Sequence, residues 1–314
     1  MTISVIIVSY NTCAMTLTCL RTLYENLGGM SAEVWVVDNA SSDDSVTAIQ
    51  RDFPDVHIIA NDTNRGFGAA NNRAIQRSTG DYLLLLNSDA FIKLRSIQAL
   101  VACMQDNPSA GVVGPKLLNE DGSLQRSCYR YPTPFRALCE SLFITASFPR
   151  SKLVGDYRAW PHDSELPVDF VIGACMLVRR SALAQVGLFD ERFFLYAEET
   201  DWCLRFHKAG WKILFTPQAE VVHLIQGSGK AQSERVFNEF RHANETFINK
   251  HYGAPGLWLY RVSQIIGAGA RLVLLGTLGL LGVTRRIDPH HSAAEWRRIL
   301  SWNLGFRGPR LRSP

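Results

Sequence analysis

A run of four leucines that ends abruptly in polar residues constrains the fold of this chain more than any other stretch. Tyr82-Leu83-Leu84-Leu85-Leu86 is bounded by Gly80-Asp81 before it and by Asn87-Ser88-Asp89 after it. A continuous apolar run of strand length is typical of a strand buried on both faces of a parallel sheet, although a buried helix is the alternative. Because ligands of open α/β sheets bind beyond the carboxyl ends of the strands, Asp89 is a candidate ligand for a substrate or its metal ion. Its alternative role is to cap the following helix.

Three further strands precede this run, and each is followed by a turn rich in Asn or Asp. They cover residues 3–9, 33–37 and 56–60, with one helix predicted over residues 15–26 and another that contains residues 71–74. Strands that alternate with helices imply βαβ units and a mostly parallel sheet with helices on both faces. Four polar strand ends in succession indicate that a nucleotide-sized ligand lies across one edge of this sheet.

A dinucleotide-binding Rossmann motif is the first alternative to consider. Gly66-Phe67-Gly68-Ala69-Ala70-Asn71 supplies the first two glycines of such a motif, but a small residue is missing at the third position. The segment also follows the third predicted strand instead of the first. We therefore exclude a dinucleotide-binding fingerprint.

The second half of the chain is predicted to extend the sheet. Residues 111–115 form a short strand, 117–125 a hairpin and 170–178 a buried strand, in which Gly173 indicates a close approach of a ligand or backbone. Residues 126–168 have poor periodicity, and we expect loops and short helices that flank the site. Residues 213–215 and 220–223 are predicted as two short β segments.

An acidic segment follows, and it begins a predicted helix from Glu198 to Ala209. Glu198 and Glu199 cannot share one helix face, so at most one of them points into a cleft, and the helix dipole stabilises both in the first turn. Asp201 and Arg205 have the i,i+4 spacing of a structural ion pair. The alternative is a solvated acidic helix start, which the surrounding aromatic residues disfavour.

Composition limits the remaining possibilities. The seven cysteines are scattered without a CxxC pair, which favours reduced thiols over disulfides or a zinc site. The amino terminus has no basic segment or cleavage signal, so we expect the catalytic part on the cytoplasmic side. Residues 254–314 carry nine Arg against two acids, whereas residues 1–253 have a net charge of −3. We therefore predict a catalytic domain over 1–253 and a basic, apolar helical segment over 254–314.

The carboxyl-terminal segment is predicted to associate with a membrane surface. Only 12 uncharged residues follow Arg271 up to Val283, and a spanning helix needs about 20. A helix that lies on the membrane, or a shallow re-entrant hairpin, is the preferred interpretation, and a packed helix pair is the alternative. The arginines after residue 284 would then face anionic headgroups, with Trp258, Trp296 and Trp302 near the interface. These arginines are Arg285, Arg286, Arg297, Arg298, Arg307, Arg310 and Arg312. No recognition module accompanies the charge, so nucleic acid is not an expected partner.

Seven segments, in this order, carry a resemblance to a known family. They are Ser4–Asn11, Val37–Ser41, Asn64–Asn71, Leu84–Asp89, Gly173–Met176, Phe189–Phe194 and Glu198–Arg205. Together they resemble the family 2 inverting glycosyltransferases of the GT-A fold, in particular the bacterial rhamnosyltransferase-like branch. The resemblance implies a Rossmann-like GT-A domain over roughly residues 3 to 230.

The resemblance also implies roles for individual residues. Glu199 occupies the position of the catalytic base, where Asp is commoner, which leaves room for Glu198. Asp89 stands at the end of the family's DxD motif, and His223 stands where related enzymes place a metal-ligating His. From local sequence alone, His223 is a core or turn residue as readily as a ligand. The implied nucleotide-sugar site comprises Ser9, Tyr10, Asp38, Asn39, Gly66, Asn71, Asn87, Ser88 and Gly173, while Asp201, Trp202 and Arg205 would support catalysis and the acceptor.

The chemistry implied by these residue types is metal-assisted transfer of a sugar with inversion. Mn²⁺ or Mg²⁺ would offset the charge of the leaving diphosphate, and a base would deprotonate the acceptor hydroxyl. We expect transfer of a hexose or deoxyhexose, such as rhamnose, from a UDP- or dTDP-sugar to a lipid-linked or polysaccharide acceptor at the cytoplasmic membrane face. The alternatives are a sugar nucleotidyltransferase, for which the first strand lacks a triphosphate loop, and an inactive sugar-nucleotide-binding protein.

Overall fold

The computed structural model describes residues 1–224, 233–280 and 292–307 of the chain. Its strands are β1 (Thr2–Ser9), β2 (Ser31–Asp38), β3 (His57–Ala60), β4 (Tyr82–Asn87), β5 (Ala90–Ile92), β6 (Ala110–Leu118), β7 (Leu124–Gln125), β8 (Cys128–Tyr129), β9 (Leu166–Val168), β10 (Phe170–Val171), β11 (Cys175–Arg179) and β12 (Lys212–His223). Its helices are α1 (Cys13–Asn26), α2 (Ser45–Asp52), α3 (Phe67–Ile75), α4 (Ser96–Asp106), α5 (Pro134–Ser141), α6 (Ile144–Ser147), α7 (Arg180–Val186), α8 (Glu198–Lys208), α9 (Ser233–Leu280) and α10 (Ala293–Asn303).

A mixed sheet organises the first part of the molecule, with the strand order β3-β2-β1-β4-β11-β6-β12-β5. The first four strands are parallel, as predicted, and β4 lies beside β1 with its leucines buried on both faces. Beyond β4 the sheet becomes mixed, because the chain enters β11 at the carboxyl edge and runs back antiparallel to β4 and β6. Strand β12 is parallel to β6, while β5 is antiparallel to β12 at the far edge.

Two sequence predictions about strands need correction. The single strand predicted over residues 170–178 is divided into β10 and β11, because the chain leaves one sheet and enters another around Gly173. The two short segments predicted at 213–215 and 220–223 are one strand, β12, whose register with β6 shifts between Thr216 and Glu220. The residues at this shift interrupt the apolar pattern, which is why the sequence predicted two segments.

The chain forms two compact units. The first comprises residues 1–131 and 161–236, and it contains all twelve strands given above. The second comprises residues 132–160 and the described residues from 237 to 307, and it is helical. The boundary predicted between residues 253 and 254 falls inside α9, at a kink where Gly253 has φ 68°. Residues 132–160 and 237–253, which the sequence grouped with the catalytic domain, belong to the second unit.

One buried arginine, Arg271, connects two segments of the second unit. Arg271 of α9 donates hydrogen bonds to the carbonyl oxygens of Glu140 and Ser141, and its guanidinium lies over the Phe143 ring. These contacts explain why residues 132–160 pack with α9. None of the described helices is long and apolar enough to cross a membrane. The predicted headgroup-facing residues Arg285, Arg286, Arg310 and Arg312 lie outside the described part of the chain.

Candidate active site

The carboxyl ends of three neighbouring strands bring predicted site residues together. Strand β1 pairs in parallel with β2 on one side and with β4 on the other. In this register Ser9 is opposite Asp38, and Val8 is opposite Asn87. Parallel strands end at the same edge of a sheet, so the turns after β1, β2 and β4 form one continuous rim.

Asp38 presents an unsatisfied acceptor at this rim. Its side chain is 3% exposed, and one carboxylate oxygen, Oδ2, accepts a hydrogen bond from the Ser41 backbone N–H at 3.0 Å. The other oxygen, Oδ1, is buried without a hydrogen-bond partner. A buried acceptor left unpaired costs about 1–3 kcal/mol. The position therefore suits a ligand that brings its own N–H or O–H donor.

A buried cluster of hydroxyl groups links the ends of β1 and β4. The Thr12 hydroxyl lies 3.1 Å from that of Ser9 and 3.2 Å from that of Thr16, and it donates to the Ser88 hydroxyl at 3.0 Å. Ser9 and Thr16 are also 3.0 Å apart. The Ser9 hydroxyl is thus used inside the protein, and the cluster fixes the turn that carries Ser88 relative to β1.

The Gly66–Gly68 turn brings α3 against the segment that leads into α8. Gly66 has φ 80°, and a side chain there would collide with the backbone of Phe194. A Cβ at Gly68 would lie 3.1 Å from the Cβ of Phe189. Asn72 adds two hydrogen bonds, since its side chain donates to the Phe189 carbonyl and accepts from the Phe189 N–H, both at 3.0 Å. Both glycines therefore permit a close approach of the acidic segment.

Glu198 and Glu199 lie in different environments at the start of α8. Tyr196 and Ala197 both have left-handed backbone conformations (φ 70° and 63°), which set the direction in which the helix begins. Glu198 is 3% exposed and faces Gly68, whereas Glu199 is half-buried and its carboxylate accepts a hydrogen bond from the Gly173 N–H. Glu198 is thus packed on the side of α3, whereas Glu199 lies beside Gly173; that only one of the two acids points into the cleft stays a prediction.

Burial changes the acidity of this pair. Removal from water raises the pKa of Glu198 well above its ordinary value, and the neighbouring Glu199 charge raises it further. Burial also raises the pKa of Glu199, although the Gly173 N–H opposes that shift. One oxygen of Glu198, Oε2, is buried without a partner. A protonated Glu198 beside a Glu199 that ionises more readily is the arrangement expected of two adjacent carboxyl groups.

Asp89 and His223 are brought together where β12 ends beside the start of β5. The two strands pair so that His223 lies opposite Ala90, and the Leu224 N–H donates to the Asp89 carbonyl. The Asp89 Oδ1 atom is 3.3 Å from His223 Nε2, and both side chains are almost fully buried. The other ring nitrogen, Nδ1, is 2.7 Å from the Gln125 Oε1 atom.

Comparison with protein families shows which family this chain belongs to. The family model described as glycosyl transferase family 2 matches residues 4–187, more than half of the chain. This chain belongs to glycosyl transferase family 2. It is 32% identical over 246 residues to an N-acetylglucosaminyl-diphospho-decaprenol L-rhamnosyltransferase of Mycobacterium tuberculosis, with 73% of this chain and 80% of that protein covered. It is 27% identical over 226 residues to the dTDP-rhamnosyl transferase RfbF of Shigella flexneri, with 70% and 68% covered.

Solved structures agree with this glycosyltransferase assignment at the level of the fold. The mannosyltransferase PcManGT from Pyrobaculum calidifontis, in complex with GDP-Man and Mn²⁺, aligns with a TM-score of 0.54 at 18% identity over 96% of this chain and 84% of that one. GalNAc-T7 with UDP, GalNAc and Mn²⁺ aligns with a TM-score of 0.59 at 14% identity, over 96% and 54%. The GT-A-like fold predicted from the sequence is confirmed.

Two buried side chains of this chain could supply protein ligands to a divalent cation. Within the described residues, no group of three or more His, Cys, Asp or Glu side chains could hold a metal ion. Asp89 and His223 supply one carboxylate oxygen and one imidazole nitrogen, a donor set that suits Mn²⁺. Two buried ligands fit a site whose remaining ligands are phosphate oxygens of the substrate and water.

Three residues predicted to support catalysis and the acceptor take part in the packing of α8. Asp201 is fully buried and pairs with Arg205 at 2.9 Å, and the Arg205 guanidinium also donates to two backbone carbonyls at the end of α7. Trp202 is fully buried, and its indole N–H donates to the Gly187 carbonyl at 2.8 Å. The ion pair expected from the i,i+4 spacing of Asp201 and Arg205 is therefore present, and a role of the three side chains toward an acceptor stays a prediction.

Asn39, one of the predicted nucleotide-binding residues, also has structural partners. The Asn39 amide donates to Asn64 and Gly66 and accepts from Asn61 and the Arg65 N–H, which uses its full hydrogen-bonding capacity. The Asn39 side chain therefore supports the rim, and a contact of this residue with the nucleotide stays a prediction.

The remaining predicted residues occupy the rim itself. Asn71 is buried and donates to the Phe67 carbonyl within α3. Tyr10 is exposed beyond the end of β1, and Asn87 ends β4, where its backbone N–H donates to the Ala174 carbonyl. The roles of these residues in binding stay predictions.

Sequence reasoning missed Gln125, Thr12 and Asn72. Gln125 contacts a histidine 98 positions away, and Asn72 contacts Phe189 across 117 positions. No local pattern marks such pairs. The sequence Ser9-Tyr10-Asn11-Thr12 at a strand end was the one available signal for Thr12.

Proposed function

We propose that this chain is an inverting, metal-dependent glycosyltransferase that uses Glu199 as its catalytic base. The observation that carries the proposal is that the two neighbouring acids, Glu198 and Glu199, lie in different environments. Glu198 is buried, whereas the half-buried Glu199 is held by the Gly173 N–H at the site rim. Inversion requires one base on the face of the sugar opposite the leaving group. Glu199 would take the proton from the acceptor hydroxyl as that oxygen attacks the anomeric carbon.

The donor is proposed to be a nucleotide sugar bound through Asp38. The unpaired Oδ1 atom would accept a hydrogen bond from an imide N–H of uracil or thymine, or from a ribose hydroxyl. Both relatives are named for rhamnosyl transfer, and one name specifies dTDP. This supports a deoxyhexose such as rhamnose, from a dTDP- or UDP-sugar, as the group transferred.

Asp89 and His223 would hold a divalent cation, Mn²⁺ or Mg²⁺, in the same site. The cation supplies positive charge that offsets the charge developing on the leaving diphosphate. His223 is the last residue of β12, and Asp89 lies between the end of β4 and the start of β5. Their burial excludes water from this side of the site and strengthens electrostatic interactions there.

The acceptor is proposed to be a lipid-linked or polysaccharide glycan at the cytoplasmic face of the membrane. The mycobacterial relative is named for a decaprenol-linked sugar. In the second unit, the exposed residues of α9 from 252 to 277 include no charged side chain. Arg261 pairs with Glu245, and Arg271 is buried, so both cations of this stretch are directed into the unit.

The outward face of α9 is therefore suited to a lipid surface. Its large apolar members are Trp258, Leu259, Ile266, Val273 and Leu274. Val273 is 68% exposed. The net charge of residues 254–314 is +7, so an anionic surface would attract this segment. A peripheral or shallowly inserted helix accounts for both properties.

A donor-turnover screen tests the proposed function. Purified full-length protein with Mn²⁺ is offered UDP-, dTDP- and GDP-sugars, with and without a bacterial lipid extract, and release of nucleoside diphosphate is measured. We expect release from one UDP- or dTDP-sugar, lost in Asp89→Ala. Nucleotide binding without release under any condition would instead indicate an inactive sugar-nucleotide-binding protein. Pyrophosphate release from a nucleoside triphosphate and a sugar phosphate would indicate a nucleotidyltransferase.

A further inference from the structure

Gln125 contacts His223 through two different atoms of its side-chain amide. Gln125 ends the short strand β7 and is buried. Its Nε2 atom donates to the His223 backbone carbonyl at 2.8 Å and to Asn119 Oδ1 at 3.0 Å. Its Oε1 atom lies 2.7 Å from the imidazole Nδ1 atom of the same histidine.

The backbone carbonyl of His223 determines which way the Gln125 amide is turned. A carbonyl oxygen can only accept a hydrogen bond, so the atom 2.8 Å from it must be the NH₂ group. The amide oxygen is then the atom that faces Nδ1. Because that oxygen has no hydrogen, Nδ1 must carry the proton of this 2.7 Å hydrogen bond.

The tautomer has a direct consequence for Asp89. A neutral imidazole with its proton on Nδ1 has a lone pair on Nε2. This lone pair lies 3.3 Å from Asp89 Oδ1, which is also an acceptor. Two acceptors at that distance repel each other unless a cation or a proton lies between them.

We propose that Gln125 is the positioning residue that fixes the His223 tautomer and thereby makes Nε2 a ligand for a divalent cation shared with Asp89. Metal-ligating histidines commonly donate their second ring N–H to a neighbouring acceptor, which orients the ring and raises the basicity of the ligating nitrogen. Gln125 supplies that acceptor from a different strand. The inference deepens the proposed function, since the cation is the one assigned there to the donor site.

Three variants separate this role from simple packing. Gln125→Leu removes the acceptor for Nδ1 at similar volume. Gln125→Glu retains an acceptor for Nδ1 but loses the donor to the His223 carbonyl. Asn119→Ala removes the other partner of the Gln125 NH₂ group and leaves the contact between Oε1 and Nδ1 in place, so it is the matched control.

Binding of Mn²⁺ alone, followed by electron paramagnetic resonance on the full-length protein, gives the first readout. We expect Gln125→Leu to weaken binding about 10- to 100-fold, the usual effect of losing such a partner. Gln125→Glu keeps the acceptor for Nδ1 but sets a carboxylate oxygen against the His223 carbonyl, so its affinity should lie between those of the wild type and Gln125→Leu. Asn119→Ala should change the affinity less than about 3-fold. Equal Mn²⁺ affinity in the wild type and Gln125→Leu would overturn the proposal, as would a wild type that turns over donor but does not bind Mn²⁺.

The tautomer of His223 gives a second readout that needs neither donor nor metal. At about pH 8, where an ordinary imidazole is neutral, ¹⁵N–¹H correlation spectra distinguish a proton on Nδ1 from one on Nε2. We expect the Nδ1–H form in the wild type and in Asn119→Ala, and its loss in Gln125→Leu. An Nε2–H form in the wild type would overturn the proposal. Absence of donor turnover in a protein with the expected tautomer and Mn²⁺ affinity would contradict the proposed function and leave this inference standing.

Discussion

Glu198 and Glu199 are consecutive in the chain, yet Glu198 is packed against Gly68 while the Glu199 carboxylate accepts the Gly173 N–H at the rim of the site. The left-handed residues Tyr196 and Ala197 produce this separation by fixing where α8 begins. Burial raises the pKa of Glu198 well above its ordinary value, while the Gly173 N–H opposes the corresponding rise at Glu199.

The buried acid predicts a pH-dependent stability that Glu198→Gln should remove. At low pH Glu198 is protonated in both the folded and the unfolded chain, so its ionisation contributes no difference. As the pH rises past the ordinary glutamate pKa, the unfolded chain loses this proton while the folded protein keeps it, so the free energy of unfolding falls. The Gln variant cannot ionise at this position, and its stability relative to the wild type should increase with pH.

Urea unfolding of both proteins between about pH 4 and pH 8 measures this difference. Glu199 meets a neutral neighbour in both proteins, a protonated Glu198 or a Gln, so its own contribution is expected to be similar in the two. Parallel stability curves for the wild type and Glu198→Gln would show that Glu198 ionises in the folded protein.

Asp38→Asn should weaken nucleotide binding without destabilising the fold. The oxygen of the new amide can still accept the hydrogen bond from the Ser41 N–H. Its NH₂ group then replaces the unpaired acceptor Oδ1, so a donor on the nucleotide would meet another donor. A lost and mismatched hydrogen bond costs about 1–3 kcal/mol, so we expect roughly 10- to 100-fold weaker binding of UDP or dTDP by calorimetry. Unchanged affinity, with unfolding as in the wild type, would exclude Asp38 from the nucleotide site.

Asp201→Asn should reduce stability instead of affecting chemistry directly. Loss of one partner of a buried ion pair costs about 3–5 kcal/mol, and we expect the lower end because Arg205 keeps two carbonyl partners. Chemical denaturation measures this loss. The folded variant should bind nucleotide as tightly as the wild type. A variant with normal stability and abolished turnover would restore the catalytic role that the sequence predicted.

The exposed face of α9 should control binding to vesicles. Ile266→Glu and Val273→Glu place a charge on this face, and we expect each to lower partitioning onto anionic phospholipid vesicles about tenfold or more. Leu94→Glu is the matched control, because Leu94 is 79% exposed but lies in the first unit. Equal partitioning of all three variants in a flotation assay would argue against α9 as the membrane-facing element.

The parallel half of the sheet could be predicted because each of its strands shows as an apolar segment of strand length that ends in polar residues. Strand β4 is a continuous apolar run, and β1 and β2 each end in polar residues at the shared edge. The same property located Asp38 and Asp89. Segments whose partners are close in the sequence, or whose burial is uniform, leave such a signal.

Residues whose partners are distant in the sequence left no such signal. The burial of Trp202 depends on the direction of α8. Two residues with left-handed backbone conformations determine that direction, and hydrophobic periodicity does not predict it. Trp302 was expected near the membrane interface, but it is buried, and its indole N–H donates to the Glu245 carboxylate within the second unit. Tertiary contacts of this kind override local pattern.

Turnover of Glu199→Gln beside Glu198→Gln tests the central claim most directly. With the donor identified by screening and a lipid extract as acceptor source, release of nucleoside diphosphate is followed for the wild type and both variants. Loss of a general base costs about 10²- to 10⁴-fold in rate, so Glu199→Gln should fall within that range while Glu198→Gln keeps turnover within about tenfold of the wild type. Full activity in Glu199→Gln, or equal loss in both variants, would contradict the assignment of Glu199 as the base.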